Sequence, residues 1–200
     1  GIFTAALLED DPAAPTVLAR VCYGRLDGAG RYHPWREWDG YTLRVARNAR
    51  EFIDIAQRAL GFPIEVIAGR EEARLIFSGV AHSVPANDDR RLVVDIGGGS
   101  TEFSVGIGFE PEVMESLYVG CINSTLSHFP GGFIDDFTMK QAELAARREV
   151  QVIATLIRDS GWTAAIASSG TARTIARILS ECGLGNGSIT DAGMRWLRKR

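Results

Sequence analysis

Carboxylates, hydroxyls and glycines crowd into one octet, Asp95-Ile96-Gly97-Gly98-Gly99-Ser100-Thr101-Glu102. Three successive glycines lack Cβ atoms, so their backbone N–H groups can approach a ligand closely and converge on an anion. Ser100 and Thr101 add hydroxyl donors. Asp95 ends an apolar run, where an unpaired carboxylate is costly unless a metal ion, its bound water or a hydrogen-bond network offsets it. Glu102 supplies a second carboxylate. On local chemistry alone, a glycine hairpin with Asp95 bonded to backbone amides reads the same way. A second small-residue turn, Ser168-Ser169-Gly170-Thr171, falls between a strand and a helix. Free N–H groups and the macrodipole make such a helix start a phosphate site, although plain serine capping also accounts for it. Two such loops in one chain suit a ligand with several phosphates, held in a cleft.

Other reactive side chains carry less information by themselves. Glu71 and Glu72 open a helix, where carboxylates favour the positive end of the dipole. Arg44, beside Thr42, is a generic surface arginine on local grounds, although its guanidinium suits phosphate. His33, His82 and His128 form no metal-ligand spacing. There is no Gly-x-Ser-x-Gly elbow and no P-loop Gly-Lys-Ser.

The elements that position these residues follow from periodicity. Residues 1–39 fit neither the helical nor the strand template and are expected to be irregular. From residue 40, Val45, Ala46, Ala49, Phe52, Ile53, Ala56, Ala59 and Leu60 recur at helical steps, and Gly61 and Pro63 end that helix. Ile64–Ile67 is expected to be a strand. A helix from Glu71 to about His82 should turn Leu75, Ile76, Gly79 and Val80 inward. After the polar connector 83–90, Leu92–Ile96 reads as a strand buried on both faces, Thr101–Ile107 as its hairpin partner and Glu112–Val119 as a third strand. Helices are expected near 122–128 and 138–158, the latter with Ala142, Ala145, Ala146, Val150, Ile153, Leu156 and Ile157 on one face. A strand over 163–168, a helix over 171–181 and a last helix capped by Asp191 complete the chain.

Composition bounds the classes. The chain has 200 residues, 46% hydrophobic and 24% charged, which excludes a disordered polymer, a collagen-like fibre and a disulfide scaffold. Its net charge of −3 speaks against a nucleic-acid or anionic-membrane partner. No apolar run is long enough to span a bilayer, and Cys22, Cys121 and Cys182 lie far apart, so a reducing cytoplasm is the expected compartment.

Taken in order, Thr42-Leu43-Arg44 with Asn48, Glu71-Glu72-Ala73-Arg74-Leu75-Ile76, Val94 through Glu102, Gly120-Cys121 and Ser169-Gly170-Thr171 resemble the exopolyphosphatase and guanosine pentaphosphate phosphatase family of the actin-like ATPase superfamily. Phe109-Glu110-Pro111 and Phe129-Pro130-Gly131-Gly132 favour the exopolyphosphatase branch. The resemblance implies an α/β fold, a ribonuclease-H-like mixed sheet flanked by helices. A non-family segment (1–39) would precede a remnant of the first actin-like lobe (40–82), itself incomplete, and a second lobe (90–200). It implies release of the terminal phosphate of inorganic polyphosphate, or of the 5′-phosphate of guanosine pentaphosphate, with magnesium or another divalent cation. Glu72 matches the catalytic glutamate that handles the attacking water. Asp95 and Glu102 match the acidic positions near the metal. Gly97, Gly98, Gly99, Ser100 and Thr101 match one phosphate loop, Ser169, Gly170 and Thr171 lie in another, and Arg44 matches an arginine lining the cleft.

Two departures stand out. The family's opening Asp-x-Gly-Ser-Asn-Ser loop is absent from residues 1–38, and Ala167 replaces the usual glycine two positions before Ser169-Gly170-Thr171. The first departure, with a start at Gly1 rather than methionine, leads to the expectation of a truncated or frameshifted piece of a longer protein that dimerises when whole. The competing readings are an ATP-binding relative, either kinase or chaperone-like ATPase, and an inactive phosphate-binding fragment. The Glu71–Ile76 helix favours the phosphatase.

Overall fold

The computed structural model describes residues 6–8, 16–18, 21–26, 32–38, 44, 47–61, 63–85 and 88–199. The chain forms two compact units, Gly1–Ile67 and Ala68–Arg200.

In the first unit, β1 (Ala6–Leu8) pairs antiparallel with β2 (Thr16–Leu18), and β3 (Val21–Leu26) with β4 (Tyr32–Trp38). These hairpins stand where an irregular segment is expected. The overlooked sequence signal is Asp27-Gly28 between two runs rich in aromatic and β-branched residues. The β3–β4 register shifts between Tyr23 and Gly24, which faces Pro34, as expected beside a residue that cannot donate to the ladder. Helix α1 (Ala49–Leu60) ends as foreseen: Gly61 takes the left-handed conformation at φ 79° and donates to the Gln57 carbonyl. Ala56 is buried on its inner face, with Phe52 and Ile53 half-buried. The strand expected at 64–67 is absent. That segment has no ladder, and the Gln57 side chain accepts from the Ile64 N–H at 2.8 Å.

The second unit is built on a four-stranded mixed sheet ordered β7-β6-β5-β8, formed by β5 (Arg90–Ile96), β6 (Thr101–Ile107), β7 (Glu110–Leu117) and β8 (Ala164–Ser168). The first three strands form an antiparallel meander, and β8 joins β5 in parallel, so the expected hairpin within a mixed sheet is present. One face carries an apolar core of Leu92, Val105 and Leu117 with Val94, Phe103 and Val113. Ile153 and Ile157 of α4 (Asp136–Asp159) close over it. The start of α4 is set by a capping box: Asp135 accepts from the Thr138 N–H at 2.7 Å, and the Thr138 hydroxyl accepts from the Asp135 N–H. Val150 and Leu156, expected on its inner face, are exposed instead.

Helix α2 (Gly69–Ser83) packs on β6 and β7. Its buried stripe is Ala73, Phe77 and Ala81, an i, i+4, i+8 series. Leu75, Ile76, Gly79 and Val80, expected there, are half-buried. The rotation has a local cause. Ser104 of β6 donates its hydroxyl to the Ala73 carbonyl at 2.9 Å in a buried setting, and the small alanine lets helix and sheet approach.

The remaining helices are α3 (Cys121–His128), α5 (Ser169–Glu181) and α6 (Asp191–Leu197). Thr190, not Asp191, caps α6: its hydroxyl accepts from the Gly193 N–H at 3.0 Å, while Asp191 pairs with Arg195. Among the described residues no helix is long and apolar enough to cross a membrane.

Candidate phosphate-binding site

Strand register brings the candidate residues together. Across the sheet Ser116 of β7 faces Glu102 of β6, Glu102 faces Asp95 of β5, and Asp95 faces Ser168 of β8. Directly opposed residues share a sheet face, so these four side chains form one polar row spanning all four strands. Asp95 and Ser168 stand at the C-terminal ends of parallel neighbours, and each is followed by one of the two loops singled out above. The crevice beyond such strand ends is where open α/β sheets bind ligands.

Glu102 is the anchor of the row. It is 2% exposed, and its Oε1 accepts from the Ser116 hydroxyl at 2.8 Å. Burial is the main reason its carboxyl is pushed up to about 7, and the charges of Glu72 and Asp95 push the same way. Hydrogen bonds from Ser100 and Ser116 hold it down in part. Glu72, on α2, is therefore near enough to Glu102 for its charge to act there. The neighbouring Glu71 points elsewhere: Arg74 binds it bidentately at 2.7–3.0 Å on the exposed side and lowers its pKa.

The loop after β5 is held from behind. Gly97 donates its N–H to the Ser100 carbonyl at 2.9 Å, closing the turn. The Gly97 carbonyl accepts from the Cys121 N–H at 3.0 Å, and the Gly98 carbonyl from Ile122 and Asn123 N–H at 2.9 and 3.1 Å. The Asn123 side chain donates to the Gly99 carbonyl at 3.2 Å. No side chain caps α3; the glycine loop does so with its carbonyls.

The loop after β8 is built differently. Ser169 adopts φ 72°, the one left-handed residue other than glycine among the described residues. Its hydroxyl donates to the Ile96 carbonyl at 2.6 Å, tying the two loops together. The N-cap Ser168 makes no side-chain cap bond. Thr101 likewise spends its hydroxyl hydrogen on the Val119 carbonyl at 2.5 Å. The hydroxyls of Ser100, Thr101 and Ser169 thus all bond to groups of the protein, which shifts the donor role expected of these residues towards main-chain N–H groups.

Arg44 belongs to the first unit, where its guanidinium donates to the Ile67 carbonyl at 3.2 Å. Among the described residues, no group of three or more His, Cys, Asp or Glu side chains is gathered to hold a metal by itself. Asp95 and Glu102 are hard oxygen donors on facing strands, a pair that suits a magnesium ion completing its shell with water and phosphate oxygens. Ser168 opens the second loop singled out above, whereas Ser116, Gly120 and Asn123 were not anticipated as site residues. Their roles depend on register and long-range packing, and the only prior signal was the Gly120-Cys121 pair within the resemblance.

A mixed sheet whose parallel strand ends carry two small-residue loops above a carboxylate row is an α/β arrangement whose crevice suits phosphate groups. Residues 40–200 match the model of the Ppx/GppA phosphatase family, and the chain belongs to that family. It is similar to the crystal structure of an exopolyphosphatase-like protein (28% identity, TM-score 0.65), covering 70% of this chain and 44% of that one. Similar matches are an exopolyphosphatase from Cytophaga hutchinsonii (28%, TM-score 0.63, covering 70% and 45%) and the Aquifex aeolicus PPX-GPPA enzyme (28%, TM-score 0.56, covering 70% and 44%). The chain therefore spans less than half the length of these relatives. The likeness bears out the α/β fold, a mixed sheet flanked by helices, expected from the motifs.

Proposed function

We propose that the chain is the phosphate-binding and catalytic-carboxylate portion of an exopolyphosphatase-type phosphohydrolase. The reaction is attack of water on the terminal phosphorus of inorganic polyphosphate, breaking the phosphoanhydride and releasing orthophosphate. The observation that supports this reading most is the charge of Glu72 acting on buried Glu102, which stands directly across the strands from Asp95. Phosphoryl transfer asks a protein for positioning and charge neutralisation more than for covalent chemistry.

Within that scheme each group has one task. Main-chain N–H groups of Gly98, Gly99, Ser100 and the first turn of α5 bind phosphate oxygens. Glu72 accepts a hydrogen bond from the attacking water and takes its proton. Asp95 and Glu102 would hold a magnesium ion, which when bound neutralises phosphate charge. Glu102, whose carboxyl burial pushes up to about 7, would be fully ionised beside such a cation. Arg44 is assigned to substrate phosphate as the family pattern implies.

The test is orthophosphate release from long-chain polyphosphate, guanosine pentaphosphate and ATP, each with magnesium. Release from polyphosphate in preference to the other two is expected. Preference for guanosine pentaphosphate would move the chain to the other branch of the family, and release from ATP alone would sink the reading. Binding without turnover would leave a phosphate-binding module. Where turnover is measured, Glu72→Gln should abolish it while leaving tripolyphosphate affinity within about threefold, because a carboxamide cannot accept the proton.

A further inference from the structure

The loop Gly97–Ser100 does not set its own direction. A trans peptide is planar, with the C=O of one residue antiparallel to the N–H of the next, and every peptide here is trans. The first turn of α3 pulls the carbonyls of Gly97, Gly98 and Gly99 towards itself through four hydrogen bonds of 2.9–3.2 Å. The N–H groups of Gly98, Gly99 and Ser100 must then point the opposite way, all three together. Two of the three peptides are held by main-chain donors of α3. The third, Gly99–Ser100, takes a hydrogen bond from a side chain, the Asn123 carboxamide.

We infer that Asn123 is a positioning residue that orients the Gly99–Ser100 peptide, so that the Ser100 N–H joins those of Gly98 and Gly99 in binding a phosphate group. This rests on the phosphate-binding reading above. Asn123 acts through the loop and needs no contact with the ligand. Gly120 makes the arrangement possible. A Cβ there would lie 2.5 Å from the Gly98 carbonyl carbon and oxygen and from the Gly99 nitrogen, so only a glycine lets α3 begin directly behind the loop. Asn123 is half-buried and lies on the surface of a short helix, so its role in overall stability is small compared with its role in setting this one peptide.

The experiment compares the wild-type chain with Asn123→Ala, the same-sized but donor-free Asn123→Asp, and Asn123→Gln, which keeps the donor. Three quantities are read: Kd for tripolyphosphate by calorimetry, hydrogen exchange at the Cys121 and Ile122 amides, and Tm. The Ala variant should weaken tripolyphosphate about fivefold to tenfold, the loss of one hydrogen bond. The Asp variant should weaken it more, and the Gln variant should recover most of the affinity. Protection of the Cys121 and Ile122 amides should fall in the Ala and Asp variants, with Tm unchanged in all three. Unchanged affinity in Ala and Asp, or Gln as weak as Ala, overturns the inference. If the wild-type chain itself fails to bind tripolyphosphate, the phosphate-binding reading fails. The orienting role is then decided by exchange, and undiminished protection in Ala and Asp overturns it.

Discussion

The two loops at the strand ends do one job with opposite architectures. Gly97–Ser100 is flexible in sequence and rigid in place: three glycines, each carbonyl tied to α3. Ser168–Thr171 carries a side chain where glycine would be at ease, at φ 72°, and is tied to the neighbouring loop by the Ser169 hydroxyl on the Ile96 carbonyl. The first loop is positioned from outside by packing. The second holds local backbone strain, of order 1 kcal/mol for a left-handed residue with a Cβ, offset by a hydrogen bond that its own side chain makes. A braced loop should fail when its brace is displaced, and a self-tied loop when its own side chain is cut.

The largest effect is expected where the brace has no room to yield. Gly120→Ala places a methyl group against Gly98 and Gly99 backbone atoms rather than a flexible side chain, so the loop or the start of α3 must move. We expect a loss of roughly 3 kcal/mol in urea unfolding, at the upper end of ordinary single substitutions, and loss of detectable tripolyphosphate binding. Wild-type stability in this variant would show that α3 and the loop are not in contact in solution.

Next comes the floor beneath both loops. Glu102 titrates near 7 when folded, above its ordinary carboxylate value, because it is buried and faces Glu72 and Asp95. The folded state thus binds a proton that the unfolded state has already released. Stability from this group is full below about pH 4.5 and is lost as pH rises through about 7. The shift corresponds to at most roughly 3–4 kcal/mol. In metal-free protein, Glu102→Gln should flatten the fall in stability between these pH values, as followed by denaturant midpoints at several pH values. Magnesium added to the wild type should move the titration to lower pH. A pH profile identical in the Gln variant would mean that Glu102 is not the titrating group.

The self-tied loop offers a paired test of smaller size. Ser169→Ala removes the bond to Ile96 and keeps the strained conformation, so it should destabilise by about 1–2 kcal/mol. Ser169→Gly removes the bond and the strain together and should lie within about 0.5 kcal/mol of wild type. Equal losses in the two variants would mean that the left-handed backbone at Ser169 holds no strain.

How much of this was legible in advance follows the range of the forces involved. Asp95 through Glu102 announced a strand, a turn and a returning strand because their pattern is local. So did the Gly61 stop of α1 and the core positions Ile153 and Ile157. The inner face of α2 was misjudged because Leu75, Ile76 and Val80 are the apolar residues, whereas closeness to Ser104 selects the small Ala73. Gly120, Ser116 and Asn123 could not be assigned roles without knowing what they pack against, and their partners lie 14 to 24 residues away. Ile64–Ile67 has strand composition but no ladder partner, a fact composition does not carry.

The smallest expected effect concerns Ala167, where the family pattern resembled by the motifs has glycine. The sequence alone suggests that its methyl group crowds the second loop. Register argues otherwise. Ser168 faces Asp95 in the polar row, so Ala167, one residue earlier on β8, points to the opposite sheet face and is exposed there. Its methyl group is therefore remote from the crevice side, and restoring glycine gives the loop nothing it lacks. Ala167→Gly should leave tripolyphosphate affinity within twofold and lower stability by about 0.5–1 kcal/mol, the entropic cost of glycine in a strand. A marked gain in affinity, read by the same calorimetry, would show that the second loop is limited by its strand rather than by Ser169, and would bring its design closer to that of the braced loop.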